Sequence, residues 1–355
     1  MVGEDETPNE IADETPDTGD WHLFLLGLAG RVSDAVIARC RGLLADGRET
    51  DLAPALIMGV LDEAVPLFDT EVDFLGDAMG WTDDADELLS RMTTTESGVP
   101  LGYGFVAESP PEDSGIGGTS AEADRVAIER TAALTGTIGL WRAWRLPTAN
   151  SASQQVARVC VVEADEDADL ISVTGELQRS LEAIGQADPQ VEVYPTGFEL
   201  PSYHRFARAY GALLWSRTPD PGVRIAVLFD EVDPTLGPRF DEDHPTVDDG
   251  EWEELVEYLH QGQPLLVTTG RLDDVVEPAR GNVVPMTFRT DGTWVWSDAT
   301  TYYLETYHLL PDPDMVAHIR ALDYELPDVT DVAVHRAMAA LQEPAAEEPA
   351  WTFGG

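Results

Sequence analysis

One stretch of this sequence alternates between two hydrophobic periodicities in an order that few folds accommodate. The apolar runs 158–165 (RVCVVEAD), 190–197 (QVEVYPTG) and 223–233 (VRIAVLFDEVD) have the length and β-branched content of strands. Between them lie 174–186 and 202–216, where apolar residues recur at helical spacing. Since parallel strands need crossovers of about this length, the order predicts a parallel β-α-β-α-β sheet flanked by helices. The predicted fold class is therefore α/β, or α+β for the whole chain.

Composition changes on either side of this stretch indicate domain boundaries. The first twenty residues carry eight acids and no base, which is typical of a disordered tail. Helical periodicity begins at Trp21, and a Gly-, Pro- and Ser-rich segment follows it. The predicted order is a disordered acidic tail (1–20), a helical domain (21–92), a linker (93–120), an α/β domain (121–240), an α+β unit with an aromatic hairpin (241–340) and a flexible tail (341–355).

The chain contains no lysine, since all 21 of its basic residues are arginine. Mechanisms that require a lysine amine within the chain are therefore excluded. These include a Walker A loop, a protein-kinase phosphate lysine, a Schiff base to pyridoxal phosphate and a Ser-x-x-Lys nucleophile.

The net charge of −46 restricts the partners that the chain can bind. A surface this negative repels nucleic-acid phosphates and anionic lipid, so we expect neither nucleic acid nor membrane as a partner and favour a basic protein. The acidic N-terminus lacks the basic start of a signal peptide. Cys40 and Cys160 are the only cysteines and lie in an apparent helix and an apparent strand. A cytoplasmic protein without a disulfide framework is therefore predicted.

Carboxylates at the end of the third predicted strand are the candidate metal ligands. Asp230, Glu231 and Asp233 end that strand, and Asp165 ends the first. Carboxyl ends of parallel strands meet at one sheet edge, where such oxygens can hold Mg²⁺. In a chain with 67 acids, however, a solvated cluster after a strand is also expected by chance. His204, at a helix start, is the candidate general base if it approaches Asp230, and otherwise a surface histidine.

The segment RTDGTWVWSDATTYYLE places two tryptophans and two tyrosines within ten residues. Asp291-Gly292 between apolar runs predicts a hairpin with a two-residue type I′ turn. Trp294 and Trp296 then share one face of the second strand, where they form either a packed core or a platform for a ligand. Arg289, across the turn, is a candidate to stack on an indole or to face an anionic ligand.

Three segments resemble sequences that recur in uncharacterised actinobacterial proteins. These are WHLFLLGLAGRVSDAVIARCRGLLADG, DPQVEVYPTGFELPSYHRFARAYGALLW and the stretch from YLHQGQPLLVTTG through DGTWVWSDATTYYLETYHLL to DPDMVAHIRA. Together they cover about half of the sequence. The resemblance implies a lineage, and it brings no activity, cofactor or catalytic residue with it.

Three functions are compatible with these observations. The leading hypothesis is a non-catalytic adaptor or regulatory interaction protein, because no nucleophile and base converge and no cofactor is expected. The alternative is a metal-dependent enzyme that uses the four carboxylates and His204. A third hypothesis is conjugation through Gly354-Gly355, since a lysine-free modifier cannot form chains on itself.

Overall fold

The structure is a computed structural model that describes residues 15–342 except 99–100, 109–119, 150 and 152. Most of the predicted N-terminal tail, much of the predicted linker and nearly all of the predicted C-terminal tail, including Gly354-Gly355, lie outside the described residues. The chain divides after Arg217 into two compact units. The first unit contains the predicted helical domain and most of the predicted α/β domain, and the second begins at Thr218.

Five helices begin the first unit. Asp17 starts the first of them through a capping box with Asp20, so residues 18–20 of the predicted tail are helical. Leu52, Leu56 and Val60 recur at helical spacing and are fully buried in the core that the helices share. The helices are α1 (Thr18–Leu28), α2 (Asp34–Ala45), α3 (Glu49–Glu63), α4 (Asp69–Met79) and α5 (Asp83–Leu89).

A mixed five-stranded sheet with three helices completes the first unit. Its strands are β1 (Tyr103–Val106), β2 (Thr137–Pro147), β3 (Ala157–Ala164), β4 (Gln190–Pro195) and β5 (Ala212–Ser216). The order is β1-β2-β3-β4, and β5 pairs with β2 beside β1. The helices are α6 (Ser120–Ala133), α7 (Leu170–Glu182) and α8 (Ser202–Ala209). Mixed α/β architecture is thus confirmed, and β3-α7-β4 is the predicted parallel unit.

The prediction that residues 223–233 form the third strand of a parallel sheet is wrong. Residues 223–233 contain only β6 (Arg224–Ile225) and β7 (Glu231–Asp233), and both belong to the second unit. The strand that follows α8 is β5, which pairs antiparallel with β2. Gly211 permits this, because a Cβ there would lie 2.6 Å from the Ala207 carbonyl oxygen and 2.9 Å from that of Arg142. The chain therefore leaves the helix and enters the sheet where the apolar pattern predicted a continuing helix.

The second unit is built around a four-stranded sheet of order β6-β13-β12-β9. The predicted hairpin is present as β12 and β13. Two two-stranded sheets, β7 with β8 and β10 with β11, and a short 3-10 helix at Pro278–Arg280 accompany it. The remaining elements are β8 (Gly237–Arg239), α9 (Asp249–Gln261), β9 (Gln263–Leu266), β10 (Arg271–Asp273), β11 (Asn282–Pro285), β12 (Phe288–Thr290), β13 (Trp294–Ser297), α10 (Asp298–Tyr307), α11 (Pro313–Ala321) and α12 (Asp331–Gln342).

The turn of that hairpin differs from the predicted type I′ turn. Three residues, 291–293, separate the strands, and of the Asp-Gly pair only Gly292 has a positive φ, of 90°. The Asp291 carboxylate accepts hydrogen bonds from the backbone N–H groups of Thr293 and Trp294, at 2.8 and 2.7 Å. These hydrogen bonds satisfy the backbone N–H groups of the loop, so the turn needs no second residue in the left-handed conformation.

Among the described helices, none combines the length and the apolar character needed to cross a bilayer.

Candidate functional site

Helix α8 divides its residues between the sheet and a groove at the surface of the first unit. Tyr203, His204 and Ala207 are buried against the sheet. Phe206 and Tyr210 lie outside this buried face and are 38% and 58% exposed. Their rings stack with centroids 6.0 Å apart. Two large aromatic side chains therefore stand together at the surface beside a packed helix.

The exposed pair forms one wall of an apolar groove of about 310 Å³. The other wall comes from Leu101 and from the β1 residues Tyr103 and Phe105, with the Gly104 backbone between them. Gly104 carries no side chain, and a Cβ there would meet nothing within 4 Å. The groove is thus lined by aromatic rings and by strand backbone.

A second cavity of about 570 Å³ adjoins the groove and shares Leu101 and Phe206 with it. Gly30 lets this cavity's walls meet, since its φ is 78° and a Cβ there would lie 2.4 Å from the Tyr203 ring. Arg31 lines the cavity and is already bound by both carboxylate oxygens of Glu71, at 2.5 and 2.9 Å. Glu63 adds a carboxylate to the lining. The cavity is within the size range of sites that hold a side chain or small ligand.

The outer edge of β1 carries the main-chain groups that do not pair with β2. Among the described strands, β1 ends the sheet on this side along the second half of β2. The Thr148 amide donates to the Gly102 carbonyl, so Gly102 bonds inward towards β2. Alternation in an antiparallel pair then directs the N–H and C=O of Tyr103 and Phe105 outward. These are the residues whose rings line the groove.

A buried ionic cluster lies behind α8 and holds it in place. Arg41 of α2 donates to both oxygens of Glu192 on β4, at 2.8 and 2.5 Å. His204 donates from Nε2 to the same carboxylate at 2.7 Å. Glu192 and His204 are both 0% exposed. Such a charge is tolerated in the interior only when it is fully paired.

A second ion pair, between a buried arginine and a partly exposed aspartate, extends this cluster to the groove. Arg145 of β2 donates to both oxygens of Asp34, at 2.6 and 2.5 Å, and its Nη1 donates to the Tyr203 hydroxyl at 3.3 Å. Its guanidinium also lies 4.4 Å from the centre of the Tyr103 ring. The two tyrosines are therefore fixed from behind by the same arginine, which pre-orders the wall of the groove.

Proton binding at this interface makes the stability of the first unit depend on pH. Burial would raise the pKa of Glu192, but the charge of Arg41 and the hydrogen bond from His204 hold it at about 2. Its contribution is complete above the ordinary pKa of 4.5 and is lost as the pH falls towards 2. Burial lowers the pKa of His22 from 6.5 to about 4, while its ring donates to the Val193 carbonyl.

We expect His22→Gln to reduce the acid sensitivity of the protein. Between pH 6.5 and 4 the unfolded state takes up a proton at His22 that the folded state refuses, so the free energy of unfolding falls with falling pH. At pH 4 this proton uptake lowers the free energy of unfolding of the wild type by roughly 3 kcal/mol. Glutamine keeps an N–H donor for Val193 but takes up no proton. Urea unfolding of both proteins between pH 6.5 and 4 tests this prediction. If the free energy of unfolding falls equally with pH in both proteins, the prediction is refuted.

The four predicted metal ligands are distributed over the two units. Asp165 lies in the first unit and accepts two hydrogen bonds from Arg217, at 2.6 and 2.9 Å. That hydrogen bonding holds the pKa of the Asp165 carboxyl below its ordinary value. Asp230, Glu231 and Asp233 belong to the second unit, since the strand that carries them is not in the central sheet.

Each of these three carboxylates also has a partner. Asp230 accepts from His244 Nδ1 at 2.8 Å, and Glu231 is paired with Arg239. Asp233 accepts from the backbone N–H groups of Thr235 and Leu236, at 2.7 and 2.8 Å. Within the part of the chain that the structure describes, no group of three or more His, Cys, Asp or Glu side chains is placed to hold a metal ion.

His204 is neither a surface histidine nor a partner of Asp230. It is buried against the sheet and binds Glu192, twelve residues before it in sequence. Its predicted exposure on the first turn is wrong, because that turn packs against the sheet. This histidine supports the groove and does not line it.

The aromatic hairpin packs into the core of the second unit. Trp294 is 4% and Trp296 1% exposed, and both belong to one apolar cluster with Leu255 and Leu259 of α9. Arg289 donates to Asp298 at 2.7 Å and to the carbonyls of His260 and Gly262. Of the two alternatives, the structure therefore supports packing, with the guanidinium engaged by the unit's own groups.

No protein-family model matches this sequence, and comparisons with curated proteins and with solved structures found no significant match.

Proposed function

We propose that this chain is a non-catalytic, cytoplasmic interaction protein that binds a partner protein through the groove between β1 and α8. The observation that carries the proposal is the stacked pair Phe206 and Tyr210, exposed beside an open strand edge. Aromatic side chains are enriched at the energetic centres of protein interfaces. Phe206 lies on α8, which the hydrogen bond between His204 and Glu192 ties to β4, and Tyr210 directly follows this helix, so little conformational entropy is lost when a partner binds.

The charge of the chain favours a basic partner. With 67 acids against 21 arginines, the field around the groove attracts cationic segments and raises their association rate. Glu63 lines the adjoining cavity, whereas the charge of Arg31 in the same cavity is balanced by Glu71. Both cysteines are free and buried, which suits a reducing compartment.

The test is a comparison of proteins recovered from an extract of the source organism. We expect Phe206→Ser combined with Tyr210→Ser to lose at least one partner that the wild type recovers at the same salt concentration. Met58→Ser is the matched control, because Met58 is an exposed apolar residue (52%) on α3 of the same unit. Circular dichroism confirms that each variant is folded. If the groove variant and the control recover the same proteins as the wild type, the proposal is refuted.

A further inference from the structure

We infer that the partner binds as an added β-strand on the outer edge of β1, with alternate apolar side chains entering the groove and basic residues flanking them. This inference rests on the proposed function and specifies its ligand. An extended peptide on a sheet edge gains affinity from main-chain hydrogen bonds and specificity from pockets for alternate side chains. Both features are present along β1.

The register in which β1 pairs with β2 determines which main-chain groups of β1 can bind an added strand. Tyr103 pairs with Pro147 and Phe105 with Arg145, at positions where the β1 main chain points away from β2. Two N–H donors and two carbonyl acceptors therefore face outward, about 7 Å apart along the strand. Donors and acceptors that repeat at every second residue in this way are complementary to one edge of an extended peptide.

The positions of the groove and the cavity determine where side chains of an added strand can enter. The groove begins at Phe105 and Tyr210, and the larger cavity begins at Leu101 and extends to Gly98 and Arg31. They therefore succeed one another along the direction of β1. Alternate side chains of an added strand repeat every 6–7 Å, so one enters the groove while a neighbour on the same face enters the cavity. The aromatic lining selects an apolar side chain for the first.

The negative charge of the chain favours a basic partner over a second copy of this chain at the edge of β1. Two copies that met edge to edge would bring together chains of net charge −46 each. The exposed acids Glu63, Glu108 and Glu199 lie in the cavity, just after β1 and just before α8. Arg205 is the exposed base on α8, where Arg208 is partly buried. Basic flanks on the bound strand are complementary to this surface, whereas a second copy is repelled.

The probe is a nine-residue peptide in which Leu or Val alternates with Thr and arginines stand at both ends. It is titrated into the full chain by fluorescence anisotropy, and amide hydrogen exchange is measured over 101–106. We expect binding that protects the amides of Tyr103 and Phe105. N-methylation of the peptide amides that face β1 should abolish binding, and N-methylation of the opposite edge should not. Glutamate ends should weaken binding at least about tenfold.

Each other result overturns strand addition in a way that separates it from the proposed function. If both N-methylated peptides bind alike and no amide is protected, the groove takes side chains only. If the arginine peptide does not bind, while Phe206→Ser with Tyr210→Ser still loses a partner from the extract, the partner uses another mode. If the chain alone is a dimer with the Tyr103 and Phe105 amides already protected, a second copy occupies the edge. If the groove variant binds the peptide as the wild type does, the groove is not the site.

Discussion

Replacing Arg41 with methionine is expected to lower the free energy of unfolding of the first unit by about 3–5 kcal/mol. The substitution keeps the length of the side chain but leaves the Glu192 carboxylate, which is 0% exposed, with only His204 as a side-chain partner. A buried charge without its main counter-charge bears the full cost of desolvation. Denaturant unfolding followed by circular dichroism measures the loss.

The control is an arginine of the same bundle whose ion pair is exposed. Arg48→Met removes a pair with Asp51 in which the side chains are 60% and 51% exposed, so we expect a loss below about 1 kcal/mol. Adding Glu192→Met to Arg41→Met should restore much of the stability, since the unpaired charge is then gone. Equal losses for Arg41→Met and Arg48→Met would show that the buried pair does not support this unit.

Replacing Asp291 with alanine is expected to destabilise the second unit by about 3 kcal/mol or more. This buried carboxylate accepts from the hydroxyl of Tyr258 at 2.7 Å, from His318 Nε2 at 3.0 Å and from two backbone N–H groups of the hairpin loop. Alanine leaves all four donors without this acceptor. Tyr258 is only 1% exposed, so its hydroxyl does not exchange the lost acceptor for bulk water in the folded state.

Tryptophan fluorescence reports this change, because Trp294 and Trp296 lie in the core of the second unit and the backbone N–H of Trp294 donates to Asp291. Asp314→Ala is the matched control, since the Asp314 side chain is 78% exposed and its distance to Arg224 is 3.6 Å. We expect the control to unfold with the wild type, within about 0.5 kcal/mol. An Asp291→Ala protein that unfolds at the same denaturant concentration as the control would contradict the assignment.

Local patterns predicted the elements that depend on short-range chemistry. The runs that became β3 and β4 and the helix between them follow from periodicity, and the hairpin follows from Asp291-Gly292. The sheet partner of β5 could not be predicted in this way. Its segment continues the apolar pattern of α8, and only the close approach of Gly211 to β2 separates the two.

The candidate site was harder to predict, because its parts are distant in sequence. Arg41 and Glu192 are 151 residues apart, and Arg145 and Asp34 are 111 apart, so no spacing rule relates them. The signal that was available is Glu192 itself, an acid that alternates with Val191 and Val193 in a buried strand and therefore requires a buried partner. Exposure of Phe206 depends on where α8 lies against the sheet, which its own sequence does not specify.

Site-specific photocrosslinking tests the central claim, that the groove between β1 and α8 binds a partner protein. The photoreactive residue p-benzoylphenylalanine replaces Tyr210 in one protein and Met58 in another, both exposed positions of the first unit. Each protein is expressed in the source organism and irradiated. We predict a discrete crosslinked species of higher mass from position 210 that is absent from position 58 and is lost when Phe206→Ser is added. If position 210 gives no species that position 58 lacks, the groove is not a protein-binding site.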